Sequence, residues 1–227
     1  MGTAPSSTIH GRERRLSLAL RAVIFDYGMV LTGPPDSGVH AELVRITGLP
    51  AEKLDPLYWA DRQAFDEGRL NGQTYWQGFV QKAGLALSPA AIEELIHWDA
   101  QLWMTLNAPM LAWAAALKAR GMRTAILSNM GDTVLQAMER EFDWLGRFDV
   151  LVWSYQLLMA KPDPAIFRYV LDKLGTRPEE TLFIDDRMVN IEAARALGMV
   201  AFEFATAERL RADMIAAGLD AEMPLPA

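Results

Sequence analysis

The sequence predicts an α/β protein with a Rossmann-like, three-layer core around a parallel sheet, and an inserted helical bundle that forms a cap. Short apolar runs such as 23–25 lack the polar alternation of half-exposed strands, which is typical of strands buried on both faces of a parallel sheet. Beyond residue 109, such runs alternate with helical segments of about ten residues, as in right-handed crossovers. Roughly seventy residues of helical character separate the first strand from the others, which predicts an insertion.

The composition restricts the classes of partner and chemistry. The chain has 227 residues, 51% of them hydrophobic, which suits one large domain or a domain with a sizeable insertion. A formal net charge of -7 argues against a general affinity for nucleic acid or anionic membranes, but it allows one basic pocket for a small anion. The absence of cysteine excludes disulfides, thiolate catalysis and cysteine-ligated zinc. We expect a cytoplasmic monomer or homodimer without a membrane span.

The domain organisation follows from changes in character along the chain. Residues 1–15 mix serine, threonine and arginine and predict a flexible tail. Segments 16–34 and 107–227 predict the Rossmann-like core, and 35–106 predicts the helical cap. Within the cap we expect helices at 39–47, 51–67, 73–83 and 89–106.

Glycines separate the predicted helices of the core from its strands. Gly121, Gly175 and Gly198 each follow a helical segment, as glycine commonly does at helix C-termini. We expect strands at 124–127, 148–153, 182–184 and 200–204, and helices at 111–120, 131–142, 165–174, 189–197 and 207–217. The carboxyl ends of such strands meet at one edge of the sheet, where open α/β proteins bind ligands.

Polar residues follow four of the predicted strands. In chain order they are Asp26, then Ser128 and Asn129, then Lys161, then Asp185 and Asp186 with Asn190 about one helical turn beyond. Taken alone, each has a structural alternative: an aspartate can start a turn, a serine can cap a helix, and a lysine can be a solvated loop residue. Together they predict acids, a hydroxyl and an ammonium group at one sheet edge.

The order of these residues resembles the haloacid dehalogenase-like hydrolase superfamily, in the form that carries a helical cap after the first motif. The resemblance extends from about residue 21 to residue 204, and its most specific segments are 161–167 and 183–198. These segments are similar to the phosphatase domain of soluble epoxide hydrolases and to bacterial sugar-phosphate phosphatases.

The resemblance implies a magnesium-dependent phosphatase that acts on a small phosphorylated metabolite. In such enzymes the first aspartate, here Asp26, attacks phosphorus and forms an aspartyl-phosphate that water hydrolyses. The resemblance implies that Mg²⁺ is held by Asp26, Asp186 and the backbone carbonyl group of Gly28. It implies that Asp185 is either a further ligand or a residue that supports the ligands. It also implies that phosphate is bound by Ser128, Asn129 and Lys161, while Asn190 either orients the loop or touches the ligand.

Gly28 departs from the family pattern, because most related phosphatases carry an aspartate there that protonates the leaving oxygen. Three outcomes stay open: a cap residue or water substitutes, the substrate has a good leaving group, or catalysis is weak. We favour the second hypothesis, since a stable leaving anion needs little protonation.

The sequence leaves two other functions open. One is a phosphatase-like binding or regulatory protein with little turnover. The other is a 2-haloacid dehalogenase, which uses the same attacking aspartate without metal, although the pair Asp185 and Asp186 argues against it. In the cap, Arg62 is a candidate to contact a second anionic group of the substrate, with a solvated helix face as the alternative.

Overall fold

A parallel β-sheet forms the centre of the molecule in a computed structural model that describes residues 20–225. The predicted tail at 1–15 lies outside the described residues, as do the first four residues, 16–19, of the predicted core. The described strands are β1 (Ala22–Phe25), β2 (Arg123–Ser128), β3 (Val150–Trp153), β4 (Thr181–Asp185) and β5 (Val200–Glu203). All neighbouring strands are parallel, in the order β3-β2-β1-β4-β5.

Helices cover both faces of the sheet, so the predicted α/β fold class is confirmed. The core helices are α6 (Ala108–Ala119), α7 (Asp132–Glu141), α8 (Ser154–Leu157), α9 (Pro164–Leu174), α10 (Met188–Ala196) and α11 (Ala207–Ala216). Helices α6, α7 and α11 pack on one face, and α9 and α10 pack on the other. Among the described helices, none is long and apolar enough to cross a membrane.

The central strand β1 shows why its sequence is apolar without alternation. All four of its side chains are fully buried. Val23 and Phe25 belong to the apolar cluster on the α6 face, whereas Ala22 and Ile24 belong to the cluster on the α9 face. Trp113 of α6 packs edge-on against Phe25, with 5.6 Å between ring centroids. Both faces of β1 therefore need apolar residues.

Five helices, which we call the cap, lie between β1 and the core helix α6 in the described chain. They are α1 (Ser37–Thr47), α2 (Ala51–Ala60), α3 (Arg62–Asp66), α4 (Gly72–Lys82) and α5 (Pro89–Gln101). The cap has an apolar cluster of its own, in which Tyr75, Trp76 and Phe79 are at most 2% exposed. The aromatic residues of this segment thus serve mainly to hold the cap together.

The two connections between cap and core lie side by side. The N–H group of Gly33 donates to the carbonyl group of Thr105 at 2.8 Å, and that of Asn107 donates to Leu31 at 2.9 Å. The returning connection therefore needs extended backbone. For this reason α5 ends at Gln101, and the predicted continuation of the helix to residue 106 is wrong.

The helix predicted at 51–67 consists of two helices that meet at Asp61. The backbone there leaves the helical region, with φ -115° and ψ 9°, and the side chain of Asp61 forms an ion pair with Lys82 on α4. Apolar residues continue at helical spacing across the break, so the sequence does not reveal it. The short helix α8 was not predicted either, because the sequence after β3 contains no signal for the start of a helix.

The cap packs tightly against the core at Gly131, which precedes α7. A Cβ atom added there would lie 2.1 Å from Cζ of Phe65 on α3, far inside van der Waals contact. Phe65 is fully buried and stacks on Tyr75, with 4.8 Å between ring centroids. The absence of a side chain at Gly131 thus allows the cap to seat against the core.

We expect Gly131→Ala to lower the free energy of unfolding by about 1–3 kcal/mol, because the added methyl group overpacks against Phe65. The control is Gly146→Ala, since an added Cβ atom at Gly146 meets no described atom within 4 Å. We expect that control to change stability by less than about 1 kcal/mol. Equilibrium unfolding in urea measures both variants, and equal stabilities would contradict this view of the contact.

Candidate active site

The carboxyl ends of β1, β2 and β4 bring the predicted polar residues together. Asp26 follows β1 directly, and its N–H group donates to the carbonyl group of Ile184 at 2.9 Å. Ser128 is the last residue of β2, and Asp185 is the last residue of β4. Because β1 lies between β2 and β4, these three residues meet at the centre of the sheet edge.

Lys161 connects these strand ends. Its ammonium group lies 2.9 Å from Oδ1 of Asp26 and 2.7 Å from Oδ2 of Asp185, and it donates to the carbonyl group of Leu127 at 2.8 Å. Three acceptors satisfy the three N–H donors of the lysine. The side chain is 1% exposed, so the solvated alternative for Lys161 is wrong.

Asn129 holds the backbone of Lys161 rather than facing a ligand with its side chain. Its amide nitrogen donates to the carbonyl group of Lys161, and its amide oxygen accepts from the N–H group of Lys161, each at 2.8 Å. The side chain of Asn129 is therefore engaged in positioning the lysine. Binding of phosphate by the backbone N–H group of Asn129 stays a prediction.

Asp185 is fully buried and both of its oxygens have partners. Oδ1 accepts from the N–H group of Arg187 at 2.8 Å and from the amide nitrogen of Asn190 at 2.9 Å, while Oδ2 faces Lys161. Asn190 thus orients the loop after β4. The neighbouring Asp186 is only half-buried and lines the cavity above the sheet edge.

The acidic cluster has the chemistry of a divalent-cation site. Carboxylate oxygens of Asp26, Asp185 and Asp186 all lie within 4.8 Å of one another. The amide oxygen of Asn190 is buried without a hydrogen-bond partner among the described residues, so it can accept from a water on a bound ion. Hard oxygen donors of this kind fit Mg²⁺.

The environment of Asp26 makes its charged form costly without such an ion. Burial raises the pKa of Asp26 to about 8; the charge of Lys161 opposes this shift, and Asp185 adds to it. Oδ1 accepts from the N–H group of Tyr27 at 2.7 Å in addition to facing Lys161. Within residues 20–225, Oδ2 accepts no hydrogen bond, and it is therefore the oxygen available for attack.

A cavity of about 380 Å³ lies between this sheet edge and the cap, large enough for a small metabolite. Ser128 lines it and is 3% exposed, and its hydroxyl group has no partner in the described part of the chain. A Cβ atom added at Gly28 would lie 3.5 Å from Trp103, an ordinary contact. Further lining residues are Asp26, Met29, Pro35, Trp59, Arg62, Asp66, Trp103, Met130, Lys161, Asp186 and Arg187.

Arg62 is a buried residue, so the solvated-face alternative for it is wrong. Its side chain is 7% exposed; Nε donates to Asp66 at 2.9 Å and Nη1 donates to Asp99 at 3.0 Å. Sequence reasoning missed Asp66 and Arg187 as cavity residues. The spacing of four residues between Arg62 and Asp66 was the available signal for their pairing.

A family model for haloacid dehalogenase-like hydrolases matches residues 20–198. The chain belongs to this family. It is a hydrolase of the haloacid dehalogenase-like (HAD) superfamily, as the resemblance of segments 161–167 and 183–198 implies.

Curated relatives of this HAD hydrolase have different activities. It is 33% identical to bifunctional epoxide hydrolase 2 of Rattus norvegicus over 81% of this chain and 36% of that protein, so it spans about a third of that relative's length. It is 26% identical to phosphatase MT3486 of Mycobacterium tuberculosis, covering 82% and 87% of the two chains. It is 29% identical to (S)-2-haloacid dehalogenase 1 of Pseudomonas sp., covering 79% and 82%.

A solved HAD family enzyme from Bacteroides thetaiotaomicron has the same fold. It superimposes with a TM-score of 0.70 at 21% identity, covering 82% of this chain and 94% of that one. That enzyme was crystallised with magnesium and inorganic phosphate.

We expect Lys161→Met to lower the free energy of unfolding by about 3–5 kcal/mol, because it leaves the buried Asp185 without its counter-charge. The measurement is equilibrium unfolding with EDTA present, so that no metal ion replaces the lost charge. The matched control is Lys173→Met on α9, an exposed position where we expect a change within about 0.5 kcal/mol. A loss below about 1 kcal/mol at Lys161 would show that the ion pairs contribute little.

Proposed function

We propose that this HAD hydrolase is a magnesium-dependent phosphatase that removes phosphate from a small phosphorylated metabolite. One observation carries the proposal: the carboxylate of Asp26 lies at the floor of a cavity, held by Lys161, with Asp186 beside it. A nucleophile, a cation and a cation-binding carboxylate at one point are what phosphoryl transfer needs.

Each residue at the floor of the cavity has a role in this proposal. Oδ2 of Asp26 forms a bond to phosphorus as the bond to the leaving oxygen breaks, and water later releases phosphate and restores the carboxylate. The ammonium group of Lys161 and the hydroxyl group of Ser128 bind phosphoryl oxygens and stabilise the developing charge. Mg²⁺ would be held by Asp26, Asp186 and the backbone carbonyl group of Gly28, and Asp185 would support these ligands. When bound, the ion supplies charge neutralisation.

The relatives support a phosphatase but also include its main alternative. A relative named as a phosphatase covers most of this chain, and a fold neighbour binds magnesium with phosphate. A haloacid dehalogenase of similar coverage is also present. The observation that favours the phosphatase is the cluster of Asp26, Asp185 and Asp186, because a metal-free dehalogenation has no use for it.

We expect hydrolysis of p-nitrophenyl phosphate that requires Mg²⁺ and stops in EDTA. Asp26→Asn removes the nucleophile and should lower turnover by at least about 10³-fold. The matched control is Asp143→Asn, whose side chain is 92% exposed, and it should keep normal activity. The measurement is release of p-nitrophenol at saturating substrate.

Two results would contradict the phosphatase proposal. Chloride release from 2-chloropropionate without metal, in the absence of phosphate-ester hydrolysis, would identify a dehalogenase. Binding of Mg²⁺ without turnover of either substrate would identify a binding protein that has lost catalysis.

A further inference from the structure

We propose that Asp66 of the cap donates the proton that the leaving oxygen of the substrate requires, in place of the carboxyl group that is absent at Gly28. This inference rests on the proposed phosphatase function, because it concerns the same phosphoryl transfer. Of the three outcomes that the sequence leaves open for Gly28, the structure favours substitution by a cap residue over a preference for good leaving groups.

The geometry of phosphoryl transfer places the leaving oxygen toward the cap side of the cavity, where a cap residue can reach it. The attacking and leaving oxygens are roughly in line, so the leaving group lies opposite Asp26, which the core contributes. Among the described residues that line that side, only Asp66 has a carboxyl group that can exchange a proton near neutral pH, because tryptophan does not ionise and arginine stays charged. The lining residues from the cap and its connections are Pro35, Trp59, Arg62, Asp66 and Trp103.

The carboxyl group of Asp66 is both held and accessible. Its side chain is 18% exposed and contributes to the cavity wall. Oδ1 accepts from Nε of Arg62 at 2.9 Å, whereas Oδ2 has no hydrogen-bond partner within the described residues. One oxygen therefore fixes the orientation and the other can reach a substrate.

The backbone of Asp66 is connected through Ser154 to the loop that follows Ser128. The hydroxyl group of Ser154 donates to the carbonyl group of Asp66. The same hydroxyl oxygen accepts from the N–H group of Met130 at 3.0 Å, two residues beyond Ser128. Ser154 thus fixes the position of Asp66 relative to the expected phosphate site.

The surroundings of Asp66 suit proton transfer in both directions. Burial raises the pKa of Asp66 to about 6; Arg62 and Arg187 lower it, and Asp99 raises it. Tyr58 and Tyr75, the other ionisable groups around Arg62, are neutral because burial raises the pKa of each. A group that titrates near neutral pH serves well as both acid and base.

The complete step conserves protons. As Asp26 bonds to phosphorus, the bond from phosphorus to the ester oxygen breaks, and that oxygen takes the proton of Asp66. The resulting Asp66 carboxylate then accepts a proton from the attacking water. Cleavage of the aspartyl-phosphate yields phosphate, the Asp26 carboxylate and protonated Asp66.

Two phosphate esters test this role. We expect Asp66→Asn to lower kcat/KM for propyl phosphate by about 10²–10⁴-fold, because an alkoxide leaves poorly without a proton. For p-nitrophenyl phosphate, whose phenolate is a stable leaving group, we expect a change of less than about threefold. In the wild type, kcat/KM for propyl phosphate should fall above about pH 6 as Asp66 loses its proton. Asp66→Asn should lack this fall.

Two further variants separate proton transfer from structure. Asp61→Asn removes a neighbouring cap carboxylate that pairs with Lys82 outside the cavity, and it should leave the ratio of the two rates unchanged. Gly28→Asp in the Asp66→Asn background should restore hydrolysis of propyl phosphate, since position 28 has room for a Cβ atom.

The possible outcomes distinguish this inference from the proposed function. Equal losses on both esters in Asp66→Asn would overturn the inference and leave the phosphatase standing. If the wild type hydrolyses neither ester, both the inference about Asp66 and the proposed phosphatase function are overturned. If Asp66→Asn does not fold, the test is the pH dependence of kcat/KM in the wild type. The same pH dependence for propyl phosphate and p-nitrophenyl phosphate would overturn the inference.

Discussion

The structure of the candidate site depends on one buried cation, Lys161. Its ammonium group contacts a carboxylate after β1, a carbonyl group in β2 and a carboxylate at the end of β4. Two buried carboxylates without this charge would repel each other and lose their hydration. The same ammonium group therefore keeps three strand ends together and keeps Asp26 beside the cavity. Asn129 supports this arrangement by holding the lysine backbone with both ends of its amide.

Much of the core and of the site could be predicted from the sequence, because both follow from the same property of parallel strands. A strand buried on both faces appears as an uninterrupted apolar run, as in β1 and β4. The residue after such a run lies at the ligand-binding edge, so Asp26, Ser128 and Asp185 could be identified without coordinates. Their convergence depends only on strand order, which the crossover rule restricts strongly.

The contribution of the cap could not be predicted in the same way. The face that a cap helix turns toward the core depends on helix breaks such as the one at Asp61. The pattern of apolar residues does not change at this break. The burial of Arg62 could not be predicted because its partner Asp99 lies 37 residues away in the chain. The contact of Phe65 with Gly131 could not be predicted either, since nothing in the predicted helix at 131–142 marks its first residue as a contact with the cap.

A proton donor on the cap, rather than next to the nucleophile, would change what controls turnover. A carboxyl group at position 28 would stay beside Asp26 whatever the cap did. Asp66 instead reaches the substrate only while the cap packs against the core, a position that the hydroxyl group of Ser154 and the contact of Phe65 with Gly131 help to hold. Proton donation would then require cap closure, which also excludes water from the cavity. With no carboxyl group at position 28 to replace Asp66 while the cap is open, transfer of the phosphoryl group would be restricted to substrates that allow the cap to close.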